Sequence, residues 1–276
     1  MRKITYIINF LLILGLSVTL GGCRKQRSPV PDETDNEPVN IKDNTMVYGL
    51  SCDGSSDSVI VLWPFGGDPV SYSCIDAKRQ GCIIGKPQIG DWVGIMVNPE
   101  DTTEASFVIN LDQLKGTWTY PVLPVMKELG QMSKRMQHRM MKNLPDSVKQ
   151  TYFIPREYGF TLKRGNDAQA VGRIMRSNTL EDDSPVLYPE VRNYRKWYTC
   201  NGKLLLVSYD YMMQGKEEEQ RTRSNVAIDT LEFVYMDNDS LILKQHGIRY
   251  GFHRKENALK ANAAATKAQQ KQDEKK

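Results

Sequence analysis

Past Leu20 this 276-residue chain has no apolar stretch approaching the ~20 residues that a membrane-spanning helix needs. Histidine is scarce. His138, His246 and His253 are all there are, and none clusters with cysteines at the spacing of a zinc site. No C-x-x-C, H-E-x-x-H or G-x-S-x-G occurs, and no glycine-rich loop is built to cradle phosphate. The acidic residues Asp167, Glu181, Asp182, Asp183 and Glu217 to Glu219 fall in loops, where runs of like charge mark solvent and not a matched acid/base pair. His246 and His253 flank Gly247, which permits either a facing pair across a hairpin or simple edge exposure. No metal site, cofactor or catalytic group is implied, and the reading is non-enzymatic. Strong charge is missing too: the formal net charge is +4, and two of the positives are Arg2 and Lys3. That balance gives no electrostatic case for a nucleic-acid partner.

What the chain does have begins at its N-terminus. Met1-Arg2-Lys3 precedes an apolar run from Ile4 to Leu20, and Gly21-Gly22-Cys23 follows. A basic start, an apolar middle and small residues before a cut describe a secretory signal peptide over residues 1–22. Leu20-Gly21-Gly22-Cys23 resembles the lipobox of bacterial lipoproteins. The resemblance implies cleavage before Cys23, acylation of its sulfur with chains such as palmitate, and attachment to a membrane through those chains. It implies a place in the cell envelope, at the outer membrane, on its periplasmic or surface side. Residues 23–45 are polar, carry prolines and lack periodicity, as a flexible tether does. Cys52, Cys74, Cys82 and Cys200 remain, and four thiols allow three full pairings. Cys74 and Cys82 flank a turn around Lys78 to Gly81, where a bridged hairpin and free thiols both fit.

Residues 46–114 read as a small β domain. Val47–Leu50, Ser58–Trp63, Val70–Ile75, Cys82–Ile84, Trp92–Val97 and Ala105–Leu111 are strand candidates separated by turn residues. So many short strands in about seventy residues suit an OB-like closed barrel or a compact sandwich. Trp63 and Trp92 read as packing residues, since no basic groove of stacked aromatics accompanies them.

Residues 115–255 carry a second β plan interrupted by one helix. After a strand at Lys115–Tyr120 the period changes from two to 3.6. Val125, Leu129, Met132, Met136 and Met140 then share a stripe, with Lys134, Arg135, His138, Arg139 and Lys142 opposite. Pro124 suits the helix's first turn and Pro145 ends it. The stripe reads as a lid packed on the barrel, or as an adaptable methionine-rich binding surface. Strands resume at Tyr158–Lys163, Gln169–Met175, Tyr194–Cys200, Lys203–Tyr211, Val226–Tyr235, Ser240–His246 and Ile248–Arg254. Asn201-Gly202 is the strongest hairpin signal among them. Eight up-and-down antiparallel strands close into a barrel and so remove exposed edges. Residues 256–276 form a polar tail rich in Ala, Lys and Gln.

Gly116-Thr117-Trp118 on the first strand, the eight-stranded meander and Arg254 at the end of the last strand resemble the lipocalin-like (calycin) pattern. The resemblance implies that Trp118 closes one end of the barrel and that Arg254 packs across it. The inserted helix departs from that pattern. The whole chain, lipobox included, resembles exported lipoproteins of Gram-negative bacteria.

Strand alternation proposes the barrel interior. Leu231, Phe233 and Tyr235 share a face, as do Leu241 and Leu243, and as do Tyr250 and Phe252. Leu204 and Leu206, or Leu205 and Val207, complete it. A barrel of this size either fills with side chains or leaves room for one small ligand. In the second case Phe233, Tyr235, Leu243, Tyr250 and Phe252 would bind a small apolar or amphipathic molecule. In the first, the protein would be an envelope interaction or assembly module that meets another protein through its helix or its small β domain.

Overall fold

The computed structural model describes residues 41, 43–127, 132–174, 186–213, 221–258 and 262. The signal segment, Cys23, the tether to residue 40, Leu129, the two acidic loops at 181–183 and 217–219, and most of the tail lie outside the described residues.

Alternating apolar residues between turn signals build six short strands in the first part: β1 (Met46–Ser51), β2 (Val59–Pro64), β3 (Val70–Ser73), β4 (Ile83–Ile84), β5 (Trp92–Val97) and β6 (Ala105–Asn110). Their order in the sheet is β3-β2-β1-β5-β6-β4, with β4 parallel to β6 and the other pairs antiparallel. A parallel bridge from Ser73 to Glu104 brings the end of β3 to the start of β6, so the sheet curls toward closure. Ile60, Leu62, Val93, Ile95 and Val108 fill the inside of that curl. Helix α1 (Ile75–Arg79) occupies the stretch between Cys74 and Cys82, and the four described cysteines are free thiols.

Helix α2 (Leu111–Leu114) is capped by Asn110, whose side chain accepts from the Gln113 amide at 3.0 Å. It leads into the larger sheet. The remaining strands are β7 (Gly116–Val122), β8 (Val125–Met126), β9 (Arg156–Leu162), β10 (Ala168–Val171), β11 (Arg173–Ile174), β12 (Val186–Leu187), β13 (Glu190–Val191), β14 (Tyr194–Cys200), β15 (Lys203–Met213), β16 (Arg221–Met236), β17 (Ser240–Gln245) and β18 (Ile248–Arg254). Eight of them form one antiparallel sheet in the order β10-β9-β7-β18-β17-β16-β15-β14. That is the expected meander. Its two ends meet at a bridge between Asp167 and Lys196, where the buried Lys196 ammonium lies 2.8 Å from Asp167 Oδ1. The barrel is therefore nearly closed. Asn201 and Gly202, with φ of 46° and 73°, make the two-residue turn between β14 and β15, the left-handed pair that a tight hairpin requires.

One core runs through both sheets. Trp118, Phe160, Leu204, Leu206, Leu231, Leu241, Leu243 and Phe252 fill the barrel, and the same cluster continues into Met46, Ile84, Phe107 and Ile109 on the outer face of the small sheet. Phe107 meets Phe233 with ring centroids 6.3 Å apart. The small sheet thus packs against the base of the barrel. Leu204 and Leu206, and not Leu205 and Val207, join this core cluster.

Two expectations need correction. The helix does not start at Pro124: Val125 and Met126 pair with Leu187 and Val186, consistent with the extended backbone that Pro124 favours at Leu123. Helix α3 (Lys134–Asn143) begins where Ser133 caps it, and α4 (Asp146–Tyr152) follows Pro145. Met132, Met136 and Met140 are exposed, so the stripe is not a packed lid. Periodicity says which residues share a face, not whether anything covers it. The second correction is in β16. A bulge between Phe233 and Tyr235 adds a residue opposite β17, which turns Tyr235 outward, about half exposed, and buries Met236.

Candidate ligand site at the barrel mouth

The base of the barrel is sealed. Trp118 is fully buried, and its indole N–H donates to the Leu114 carbonyl at 2.7 Å. The Arg254 guanidinium lies 4.2 Å from the Trp118 ring centroid. Its Nη1 donates to Lys115 O at 2.7 Å, its Nη2 to Gln113 O at 2.5 Å, and its Nε to Asn238 O at 2.5 Å. Gly116 is what lets it lie there: with φ of 130°, a Cβ at this position would sit 2.3 Å from Arg254 Nη1. One side chain thereby joins α2, the start of β7 and the β16–β17 turn across the tryptophan face.

At the opposite end the described residues leave the barrel interior unfilled. A cavity of about 170 Å³ lies among β7, β9, β14, β15, β16, β17 and β18. Phe160, Leu206, Leu231 and Phe252 form its apolar wall. Tyr120, Tyr194, Asp229, Gln245 and Tyr250 supply the polar groups. The aromatic side is held by edge contact: Phe252 lies 5.3 Å from Tyr120, nearly perpendicular to it, and 5.2 Å from Phe160.

Among the described residues Asp229 is the one carboxylate lining this cavity. It shares the inward face of β16 with Leu231, two residues on. Tyr194 donates its hydroxyl to Asp229 Oδ2 at 2.9 Å, and Arg192 Nη1 lies 2.6 Å from Oδ1. Burial, reinforced by the Asp229 carboxylate, pushes the Tyr194 phenol well above its ordinary range. Burial and the neighbouring Tyr250 raise Tyr120 as well. Both phenols therefore remain neutral hydrogen-bonding groups through the whole physiological range.

Of the five residues that the strand pattern offers for ligand contact, Tyr250 and Phe252 line the cavity. Leu243 is fully buried in the packed core, Phe233 packs at the base against Phe107, and Tyr235 is turned outward by the bulge. His246 occupies the β17–β18 turn while His253 pairs with Ser240 at the hairpin's other end, so the two histidines do not face each other. Tyr120, Tyr194, Asp229 and Gln245 are absent from the strand-pattern proposal. Asp229 had a readable signal: carrying the inward alternation of Leu231 back one step reaches a carboxylate on an otherwise apolar face. Tyr194 and Gln245 stand at strand ends, where alternation alone does not tell rim from interior. Among the described residues no group of three or more His, Cys, Asp or Glu stands close enough to hold a metal ion.

No family model matches this chain, and no curated protein matches it. Among solved structures, a lipocalin-like protein from Bacteroides thetaiotaomicron is similar at 16% identity and a TM-score of 0.26, over 51% of this chain and 94% of that one.

Proposed function

We propose that this is a membrane-tethered binding protein that holds the apolar end of a small amphipathic molecule in the mouth of its barrel and does no chemistry on it. The observation that carries the reading is the mouth cavity, apolar below and ringed by neutral phenols, an amide and a carboxylate. Its volume limits the guest. An apolar cavity of about 150 Å³ accepts one benzene-sized ring, so a ligand inserts a single ring or a short chain and leaves its polar part at Asp229, Tyr194 and Gln245. Long acyl chains and haem-sized groups are too large for the interior as it is packed. The lipobox-like Leu20 to Cys23 segment and the polar tether after it support attachment to an outer membrane through acyl chains on Cys23.

Calorimetric titration and thermal shift with benzyl alcohol, benzylamine and phenylacetate test the binding claim. Stabilisation by at least one of them, lost in a Leu206→Phe variant that fills the cavity, is the expected result. No response to any of them, nor to fatty acids or glycans, refutes it. Palmitate labelling tests the anchor: wild type should label and Cys23→Ala should not.

A second reading keeps support from one feature. Met136 and Met140 on α3, and Met132 just ahead of its cap, stand exposed, which suits contact with another envelope protein. A stoichiometric cross-linked partner in intact cells, lost when the three methionines become Gln, would favour it.

A further inference from the structure

A second concavity joins the two sheets away from the barrel mouth. A cavity of about 500 Å³ lies at the base of the barrel, between the small sheet and the β14 side of the large one, and it shares no lining residue with the mouth. That volume falls within the ordinary range for small-molecule sites, about 300–1,000 Å³, which the mouth does not reach.

The chemistry of its walls is specific. Tyr48 and Trp92 contribute from the small sheet and Trp197 from β14, while Lys115, Lys163 and Arg164 bring three cations. The hydrogen bonds decide what each can still offer. The Tyr48 hydroxyl is spent: it donates to Thr199 O at 2.7 Å and accepts from Asn44 and from Thr199. The Trp197 indole N–H is spent on Lys163 O at 2.9 Å. These two rings are left with apolar surface and no polar handle. The Trp92 indole N–H has no acceptor among the described residues.

Charge is distributed just as unevenly. Of the carboxylates near these cations, Asp112 is bonded by the Lys115 ammonium and by the Trp92 backbone amide at 2.6 Å, and Asp167, on the same turn, by the Lys196 ammonium at 2.8 Å. Lys163 meets only the neutral Gln169 amide oxygen at 3.2 Å, which leaves two of its three N–H donors. No carboxylate hydrogen-bonds Arg164 among the described residues. Lys163 and Arg164, neither of them hydrogen-bonded to a carboxylate among the described residues, thus stand on one exposed turn at a cleft walled by aromatic rings.

The geometry points to a second binding site here, for a small organic anion whose carboxylate or phosphate is held by Lys163 and Arg164 while a flat ring face lies against Tyr48, Trp92 and Trp197. Rings of sugar acids and of aromatic acids present that same chemistry.

The test uses the full-length protein in non-ionic detergent, labelled so that the tryptophan indole N–H resonances are resolved by NMR. Glucuronate, glucose 6-phosphate and benzoate are titrated, with glucose and benzyl alcohol as uncharged controls. At least one anion should shift the Trp92 resonance saturably, and the uncharged controls should not. The double variant Lys163→Gln/Arg164→Gln, both exposed side chains on a turn, should keep the native spectrum and thermal midpoint while weakening that anion by about tenfold or more. A response to the sugar anions alone assigns a saccharide acid, and a response to benzoate alone assigns an aromatic acid. Silence from all three anions, an equal shift of the Trp92 resonance by the uncharged controls, or unchanged affinity in the double variant overturns the proposal. None of these outcomes bears on the barrel mouth, whose residues are separate.

Discussion

Replacing Arg254 is the perturbation with the most to say about how the barrel is shut. Its guanidinium makes three hydrogen bonds to main-chain carbonyls and covers the Trp118 ring. Hydrogen bonds from a charged donor contribute about 1.5–3 kcal/mol each, and the partial exposure of this side chain argues for the low end. Stacking on the indole adds about 1 kcal/mol. The gross loss in Arg254→Ala is then near 5 kcal/mol, from which about 2 kcal/mol of regained side-chain freedom is subtracted. The expected net cost is about 3 kcal/mol. Arg254→Lys keeps the charge but loses the fork, and should cost about 2 kcal/mol. Urea unfolding followed by far-UV circular dichroism measures both. A double-mutant cycle with Trp118→Phe isolates the ring contact, with an expected coupling of about 0.5–1.5 kcal/mol. A loss below about 1 kcal/mol for Arg254→Ala, or a coupling of zero, would refute the reasoning and reduce Arg254 to a surface residue.

Other consequences are independent of that one. Gly116→Ala drives a methyl into the guanidinium and should cost about 2 kcal/mol or more, partly relieved in an Arg254→Ala background, as equilibrium unfolding of the single and double variants will report. Leu241→Ala empties a fully buried position and should cost about 2–5 kcal/mol by the same assay. The Tyr194 phenol is raised in the folded state, so its share of stability is intact below the ordinary phenol value of 10.0 and drains away as the pH climbs past it. Ultraviolet titration should show one tyrosine ionising last, and Tyr194→Phe should remove it. Asp112 is shifted the other way: burial disfavours its charge, but the Lys115 ammonium and the Trp92 amide outweigh that and hold its carboxyl below the usual 3.8. Its contribution is present above that value and disappears as the pH falls through the folded-state one. With a partly exposed side chain the effect is about 1 kcal/mol, and Asp112→Asn should flatten the acid limb of the stability profile by that amount.

The large barrel was legible because its strands alternate cleanly and its turns carry the residues that left-handed backbone demands. Asn201-Gly202 announces a tight hairpin, while the meeting of Trp118 and Arg254 was implied only by resemblance to the lipocalin-like pattern. What failed to show has physical causes. A single bulge at Val234 reverses the face of every later residue in β16, and no residue type marks it. Ser133 outcompeted Pro124 as the helix start, since both are plausible first-turn residues and only the pairing of Val125 and Met126 with β12 decides between them. The joining of the two sheets by a common core was invisible as well, because Phe107 and Ile109 alternate with Val108 as any two-sided strand does. Asp229 stands in line with Leu231, so alternation alone reaches it.

The central claim is that the open end of the barrel takes a ligand. The most direct measurement is a methyl NMR titration of the leucine-labelled protein with benzyl alcohol. The account predicts saturable shifts at Leu206 and Leu231, which wall the mouth cavity, with Leu62 inside the small sheet unmoved. Shifts confined to Leu62 and its neighbours, or no saturable shift at Leu206 and Leu231 at any concentration, would contradict it.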